Sequence, residues 1–294
     1  MKNPKTFGVW GNIEKDAFWN ILPKIIHWAK DKNLELFLTE KIISDVRGKE
    51  LDQPVINSKE KISEMDFMLV LGGDGTFLSC ARAVENRSTP ILGIHLGDLG
   101  FLAKVTLENI FQRLDQVSNG LFTVEKRSMV KASILKNGTN LTKYGLNDFV
   151  VSNGESHRML IAEVYVDDNR VSEYKADGLI IATPTGSTAY SLSSGGPIIS
   201  PDVDSFVITP ISAHTLNSRP LVVSAKSRIK IQFSPYNENI LLITDGQLHE
   251  LLTAQDTVLI TDSDFEIGLI DFEDDDYFQT LRTKMGWGTR GGSS

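Results

Sequence analysis

The chain has 294 residues, 41% hydrophobic and 23% charged, a composition typical of a folded protein with one large domain or two. The net charge of -8 disfavours nucleic acid and anionic membranes as the main partners. Its only cysteine, Cys80, excludes an internal disulfide and reads as a small buried hydrophobe. Because the longest apolar runs are too short to cross a membrane and no signal peptide begins the chain, we expect a cytoplasmic protein.

The first 121 residues alternate between strand and helix signals, which predicts a parallel sheet in an α/β domain. The predicted strands are residues 7–10, 34–38, 67–71 and 90–94. Helical spacing of apolar residues follows the first strand, where Pro23 either kinks the helix or marks its start. A helix to about residue 85 follows the third strand, and Thr106 is the predicted cap of a helix ended by Asn119-Gly120. Residues 44–61 are predicted to form a loop.

A glycine-rich turn, Gly72-Gly73-Asp74-Gly75-Thr76, joins the third strand to its helix. Glycines let backbone N–H groups approach an anion, and a helix start adds free donors, so the pattern predicts a phosphate site. Asp74 is unusual in such a site, and it could accept a proton from an attacking hydroxyl or hold a metal ion. The alternative is a plain strand-to-helix turn in which Asp74 caps the helix. A second glycine-spaced turn, residues 95–102, follows the fourth strand.

After residue 121 short strands with turn signals replace helical spacing, which predicts an all-β, sandwich-like C-terminal domain. The predicted strands lie at residues 160–166, 171 onward, 179–182, 206–208, 228–233, 240–244, 258–260 and 265–270. A final segment, residues 277–288, has a helical pattern, and residues 288–294 are expected to form a frayed tail. The predicted division is an α/β domain of residues 1–121 joined by residues 272–294, and a β domain of residues 122–271.

The β domain carries a second polar stretch, residues 183–197, rich in hydroxyls and glycines. Its small donors and single tyrosine suit the ribose, phosphate and base of a nucleotide, although a plain Ser/Thr/Gly connection needs no ligand. Asp177-Gly178, Asp245-Gly246 and Asn147-Asp148 are weak signals individually. The acidic run of residues 271–276 fits a solvated loop or helix start better than a metal site.

Other mechanisms have little support in the sequence. There is no Walker loop, no GxGxxG after a strand, no HExxH or paired CxxC metal motif and no GxSxG elbow. The five histidines, His27, His95, His157, His214 and His249, are scattered along the chain. The residues alone therefore indicate phosphate and hydroxyl chemistry on an α/β domain and a β domain.

Taken together, the GGDGT turn, Asn147-Asp148, the run from Asp177 through residues 183–197 and the closing Leu281-Arg282-Thr283-Lys284-Met285-Gly286-Trp287 resemble the NAD kinase family. GGDGT is shared with lipid kinases and phosphofructokinase-like enzymes, whereas the TPTGSTAYSLS stretch is far more specific. The resemblance implies phosphorylation of the 2′-hydroxyl of the adenosine ribose of NAD, giving NADP. It also implies ATP or polyphosphate as donor, a divalent metal (Mg²⁺ or Mn²⁺), and assembly as a homodimer or homotetramer.

Site residues follow from the resemblance position by position. Asp74 corresponds to the catalytic carboxylate, and Gly72, Gly73, Gly75 and Thr76 to the phosphate loop. The dinucleotide contacts that it implies are Asp74, Gly75, Asn147, Asp148, Asp177, Thr188, Ala189, Tyr190, Ser191, Leu192, Ser193 and Ala213, with more variable contacts at Arg158, Lys175 and Gln247. Two positions depart from the common pattern: His95 replaces an asparagine, and Asp148 replaces a glutamate found in many members.

Two alternatives stay open on the sequence. A GGDGT lipid kinase would use the same loop on a lipid acceptor, but the hydroxyl-rich residues 183–196 argue against an apolar acceptor pocket. A dinucleotide sensor without catalysis would have no use for Asp74.

Overall fold

The computed structural model describes residues 3–97, 99–136, 138–154, 158–214 and 217–287. The predicted tail at residues 288–294 lies outside this range, as do Asp98, His157, Thr215 and Leu216. The chain divides into two compact units: one holds the residues up to Lys126 and those from Ile267 onward, and the other is Arg127–Glu266. Over the described residues, none of the helices has the length and apolar character needed to span a bilayer.

The helices and strands are numbered here in chain order. The strands are β1 (Thr6–Gly11), β2 (Glu35–Thr39), β3 (Val55–Ile56), β4 (Phe67–Gly72), β5 (Ile91–His95), β6 (Thr123–Lys136), β7 (Thr139–Gly145), β8 (Asp148–Ser152), β9 (Leu160–Val166), β10 (Asn169–Ala176), β11 (Gly178–Ala182), β12 (Ser205–Ile211), β13 (Leu221–Ser224), β14 (Ile229–Phe233), β15 (Ile240–Thr244), β16 (Leu248–Leu252) and β17 (Thr257–Asp271). The helices are α1 (Asp16–Asp31), α2 (Glu40–Ser44), α3 (Lys59–Ile62), α4 (Asp74–Val84), α5 (Ile110–Ser118), α6 (Tyr190–Ser193) and α7 (Tyr277–Met285), with 3₁₀ turns at Glu85–Arg87 and Thr185–Thr188.

The first unit is the predicted α/β domain with a parallel sheet, in the order β5-β4-β1-β2-β3. The end of β17 pairs in parallel with β5 through Leu269 and Ile91. β4 is buried along its whole length, because helices cover both faces of such a sheet. The chain moves in one direction from β1 to β2 and in the other from β4 to β5. The carboxyl ends of β1 and β4 therefore form the switch point, where ligands of open α/β sheets bind.

The second unit confirms the prediction of an all-β, sandwich-like domain, and its strands pair antiparallel. One sheet has the order β13-β12-β11-β8-β15-β16, and β10, β9, β14 and β17 lie side by side in another. Apolar side chains from both sheets, such as Phe149, Leu179, Val164 and Ile231, are fully buried in one core. This is a sandwich, in which alternate residues of each strand face the shared interior.

Several predicted elements need correction. Residues 44–61 are not one loop, because β3 pairs with β2 there and α3 begins at Lys59; a two-residue strand has no periodicity to read. α5 begins at Ile110, while the Thr106 hydroxyl accepts a hydrogen bond from the Asn109 N–H (3.3 Å) in the preceding turn. Pro23 lies inside α1, on its exposed side, so the helix begins upstream of it at Asp16.

The β domain also contains elements that the sequence did not reveal. β6 carries charged residues along much of its length, and β7 is mostly polar, so neither shows a clear alternation of apolar residues. The two strands predicted at residues 258–260 and 265–270 are one continuous strand, β17. Residues 183–197 are not simply a loop, since they contain a 3₁₀ turn and α6.

Candidate active site

The GGDGT turn lies at the carboxyl end of β4, where the topology places a ligand site. Gly73 is the N-cap of α4, and its carbonyl accepts the N–H groups of Thr76 (3.0 Å) and Phe77 (3.1 Å). A Cβ on Gly72 would come within 2.3 Å of the Thr76 hydroxyl, whereas a Cβ on Gly73 would meet nothing within 4 Å. Gly72 is therefore required for packing, and Gly73 leaves open space beside the first turn of an eleven-residue helix.

Asp74 does not cap its own helix. Its carboxylate accepts three backbone hydrogen bonds from the second glycine turn: Oδ2 from Phe101 (2.9 Å), and Oδ1 from both Leu102 and Ala103 (3.1 Å each). A Cβ on Gly100 would come within 2.0 Å of Oδ1, so the backbone lies directly against the carboxylate. These contacts fix the orientation of the group. A carboxylate has about four lone-pair sites, so the acceptor capacity that remains lies on Oδ2.

The acidic run of residues 271–276 is tied to basic side chains and to a helix start. Asp271 pairs with Lys104 (3.1 Å), and Asp274 pairs with Arg113 (2.7 Å). Asp276 accepts the Phe278 N–H (2.8 Å) as the N-cap of α7. The structure therefore agrees with the prediction of a helix start. Most carboxylates of this run pair with basic side chains or a backbone N–H of the first unit.

The second unit has a pocket of about 230 Å³. It is lined by Asn147, Asp148, Val150, Ala189, Tyr190, Ile243, Asp245, Gly246 and His249. The structure thus brings together four predicted residues from separate parts of the chain. The sequence did not predict the other lining residues as part of a site. Asp245-Gly246 was interpreted only as a turn, and nothing in the sequence marked Val150, Ile243 or His249 as pocket residues.

Two buried carboxyl groups lie in this pocket. Asp245 has a positive φ, and its Oδ1 accepts the Asn147 N–H (2.8 Å), which anchors the segment entering β8. Asp148 is only 4% exposed. Burial, and secondly the charge of Asp245, raises the pKa of Asp148 to about 7. Such a group can accept hydrogen bonds from ligand hydroxyls when ionised, and it changes charge near neutral pH.

The hydroxyl-rich segment is largely a structural element. Thr183 and Ser187 are fully buried, and the Thr183 hydroxyl donates to the Leu146 carbonyl (2.6 Å). A Cβ on Gly186 would come within 2.1 Å of the Asn147 carbonyl oxygen, so the segment packs tightly against the pocket wall. The predicted contact Ser191 is also fully buried, with its hydroxyl 2.9 Å from that of Thr209. Its hydroxyl is therefore directed into the protein interior.

The other predicted residues of this segment are partly or fully exposed. Thr188, Ala189 and Leu192 are half-buried, and Tyr190 and Ser193 are exposed. These side chains are accessible to a ligand, unlike that of Ser191.

The remaining predicted contacts form separate groups. The Lys175 carbonyl accepts the His214 N–H (2.9 Å), and the Asp177 N–H donates to Ile211 (2.9 Å), which brings Lys175 and Asp177 close to Ala213. Arg158 is exposed, and its Nη1 lies 3.6 Å from Oε1 of Glu238. Gln247 closes the β15–β16 hairpin through its N–H but does not line the pocket.

Comparison with known families decides the identity of this arrangement. A model of the ATP-NAD kinase N-terminal domain matches residues 7–122, and a model of the ATP-NAD kinase C-terminal domain matches residues 146–272. The chain belongs to the NAD kinase family. This confirms the resemblance and makes the chain an NAD kinase enzyme. It decides against the lipid kinase and the non-catalytic sensor.

Individual NAD kinases match over nearly their full length. The NAD kinase of Thermoanaerobacter sp. (strain X514) is 40% identical over 96% of this chain and 99% of its own. That of Syntrophotalea carbinolica is 40% identical over 97% of this chain and all of its own.

Solved structures of the family have the same fold. An NAD kinase from Archaeoglobus fulgidus in complex with ATP has a TM-score of 0.76 at 26% identity, covering 96% of this chain and 98% of that one. Yeast NADH kinase complexed with NADH has a TM-score of 0.91, covering all of this chain and 91% of its own. Its 21% identity makes it evidence for the fold alone.

The family resemblance implies a divalent metal, and the residues can be tested for one. Within the described ranges, no group of three or more His, Cys, Asp and Glu side chains is placed to hold a metal ion. Three of the lone-pair sites of Asp74 are already used by backbone N–H groups. These residues do not form a metal cage of their own. A divalent cation fits this NAD kinase as part of the nucleotide substrate, since Mg²⁺ in kinase sites is bound largely by phosphates and water.

Proposed function

We propose that this NAD kinase transfers the γ-phosphoryl group of ATP to the 2′-hydroxyl of the adenosine ribose of NAD, with Asp74 as the general base. The observation that carries this proposal is the Asp74 carboxylate, held by three backbone N–H groups at the N-terminus of α4. A phosphate bound at that helix start and a hydroxyl hydrogen-bonded to the remaining lone pair of Oδ2 would both meet Asp74.

Phosphoryl transfer does not require a strong base. The transition state of phosphoryl transfer is loose, so positioning and charge neutralisation supply most of the acceleration. Asp74 accepts the proton of the 2′-hydroxyl as that oxygen attacks phosphorus. The loop formed by Gly72, Gly73, Gly75 and Thr76 would hold the phosphate oxygens, and the open space is at Gly73. A divalent cation carried by ATP would supply further positive charge.

NAD binding is assigned to the second unit. Asn147 donates and accepts hydrogen bonds, and ionised Asp148 accepts them, with the base and the ribose hydroxyls as partners. Ala189 and Tyr190 supply the wall of the same pocket. Support comes from their common lining of one cavity. The proposed set is completed by Asp74, Gly75, Arg158, Lys175, Asp177, Thr188, Leu192, Ser193, Ala213 and Gln247. Ser191 supports its neighbours in this set through its buried hydroxyl.

The test is the Asp74→Asn variant, because an amide cannot take up the proton. Loss of a general base typically lowers the rate by about 100- to 10,000-fold. We therefore expect a loss of that size in kcat for NADP formation, while NAD binding measured by calorimetry is retained. Turnover close to that of the wild type would show that Asp74 is not the base. Running the same assay with polyphosphate in place of ATP tests the second proposed donor.

We also propose that the protein works as a homodimer or homotetramer in the cytoplasm. Edge strand β13 exposes Leu221 and Val222, and exposed apolar edge strands are sites of association. Cys80 is a buried free thiol, which suits a reducing compartment. Light scattering coupled to size-exclusion chromatography measures the mass in solution, and a monomer would contradict the first part.

A further inference from the structure

We infer that His95 is a positioning residue for Asp74: its imidazole fixes the turn whose N–H groups hold the Asp74 carboxylate. The inference rests on the proposed role of Asp74 as base. It assigns a function to the histidine that begins the second glycine-spaced turn and departs from the common family pattern.

The imidazole of His95 lies on the face of the sheet that α4 covers. His95 is the last residue of β5 and pairs in parallel register with Gly72, so both residues point to the same face. On that face, a Cβ on Gly72 would collide with Thr76 of α4, and a Cβ on Gly93 with Phe77. His95 is 8% exposed. It is therefore packed beside the phosphate loop and not on the protein surface.

One ring nitrogen of His95 holds the start of the second glycine turn. Nδ1 lies 2.6 Å from the Gly97 carbonyl oxygen. Because a carbonyl only accepts hydrogen bonds, Nδ1 must carry a proton and donate it. The adjoining backbone is fixed as well: the His95 N–H donates to the Val105 carbonyl (3.0 Å) and the Leu96 N–H to that of Gly72 (2.8 Å).

Closer to Asp74, further contacts hold Gly100 and Ala103 in place. The Gly100 N–H donates to the Ala103 carbonyl (3.3 Å), which closes the turn between them. A Cβ on Gly93 would lie 2.8 Å from the Ala103 Cα, so the sheet supports the far end of the turn directly. The N–H groups of residues 101–103 then bind the carboxylate. A shift at Gly97 would move these donors, and a misplacement of about 1 Å can cost about 100-fold in rate.

The other ring nitrogen of His95, Nε2, takes no part in this anchor. Nε2 is buried and has no hydrogen-bond partner among the described residues. A buried N–H without an acceptor is costly, so the proton belongs on Nδ1 alone. Since Nε2 is shielded from ligands, the contribution of His95 runs through Nδ1.

Two substitutions separate the ring nitrogens. The side-chain amide of Asn reaches about as far as Nδ1, so His95→Asn can keep a donor to the Gly97 carbonyl. The amide of Gln reaches about as far as Nε2, so His95→Gln loses that donor while filling more of the space. His95→Ala removes both nitrogens. His27→Gln is the matched control, because His27 is exposed on α1 and its Nε2 lies 3.4 Å from Asp31 Oδ2.

Steady-state kinetics gives the first readout. We expect His95→Ala and His95→Gln to lose up to about 100-fold in kcat with little change in the KM for NAD. His95→Asn should recover most of that loss, and His27→Gln should match the wild type. Equal kcat values for the Asn and Gln variants would overturn the inference, as would a loss in KM alone.

Two spectroscopic readouts do not depend on turnover. ¹⁵N NMR of the imidazole should show Nδ1 protonated and Nε2 not, in the folded free enzyme. Amide hydrogen exchange at residues 101–103 should accelerate in His95→Ala and His95→Gln but not in His95→Asn. The opposite tautomer, or unchanged exchange, would refute the inference for any variant that folds. If Asp74→Asn stayed active, the base assignment would fail while these two measurements still tested the anchor.

Discussion

Asp74 and Asp148 are both candidate site carboxylates, but they have opposite environments. Asp74 is partly exposed and accepts three backbone N–H groups, which hold it in one orientation. Asp148 is 4% exposed and faces the charge of Asp245, which with burial raises its pKa to about 7. The comparison teaches that the surroundings of a carboxylate, and not the residue type, decide its properties. Backbone donors fix the orientation of Asp74, whereas burial and a neighbouring charge raise the pKa of Asp148.

The largest effect is expected from disrupting the donors around Asp74. Gly100→Ala would put a Cβ 2.0 Å from the carboxylate Oδ1 and force the side chain away from its N–H groups. We expect a loss in kcat of about 100-fold, since the group would move by about 1 Å, with little change in the KM for NAD. Gly97→Ala is the matched control in the same turn, because its Cβ would meet only the flexible end of Lys15 at 3.2 Å. Equal activity of the two variants would contradict the steric argument.

The environment of Asp148 predicts a pH dependence of NAD affinity. The ionised carboxylate accepts hydrogen bonds from ribose hydroxyls more strongly than the protonated group does. Below the pKa of about 7 its ionised fraction falls about tenfold per pH unit. The Kd for NAD, measured by calorimetry, should therefore rise as pH falls below 7. Asp148→Asn should bind NAD more weakly and lose this dependence. A pH-independent Kd in the wild type would show that Asp148 does not bind as a carboxylate.

The same pKa shift predicts an opposite effect on stability. The pKa of Asp148 is higher in the folded protein, about 7, than its ordinary value of 3.8, so the folded state binds the proton more tightly. The contribution of Asp148 to the free energy of unfolding should therefore decrease as pH rises from about 4 through 7. Asp148→Asn removes this contribution, and denaturant unfolding of the two proteins across that range measures the difference. A contribution of Asp148 that grew with pH would contradict the raised pKa.

The smallest effect is expected at Ser191, which separates packing from ligand contact in one helix. Ser191→Ala removes a buried hydrogen bond to Thr209 and should lower the free energy of unfolding by about 1 kcal/mol. Ser193→Ala, at an exposed position, should leave stability unchanged but raise the KM for NAD. A raised KM in Ser191→Ala at unchanged stability would show that Ser191 contacts NAD itself.

Much of the fold followed from the sequence because its signals are local. The strands around Leu69 and Ile181 are continuous apolar runs, and the helix of Phe18 and Ile25 has plain 3.6-residue spacing. The prediction failed where tertiary pairing decides the structure. β3 forms by pairing with the edge of β2. β6 and β7 pair with each other despite their charged and polar side chains.

Only part of the candidate site could be predicted from the sequence. GGDGT and the hydroxyl-rich segment stand out by composition, but the partners of Asp74 lie near residue 102, far along the chain. No local pattern shows that three of their N–H groups meet one carboxylate. Likewise, Asp245 reads as a turn residue until the folded hairpin brings it beside Asp148. Long-range hydrogen bonds of this kind become visible only in the structure.

During synthesis, the ribosome makes the two chain segments of the first unit at different times, before and after Arg127–Glu266. Ile270 and Phe272 belong to the same core as Phe7 and Val9, and β17 completes the sheet beside β5. The second unit, by contrast, is one continuous stretch and has all its residues earlier. A nascent chain therefore lacks part of the core of the first unit until the residues that follow Glu266 have been made. Premature termination directly after Glu266 should release a protein with every residue of the second unit and an incomplete α/β unit.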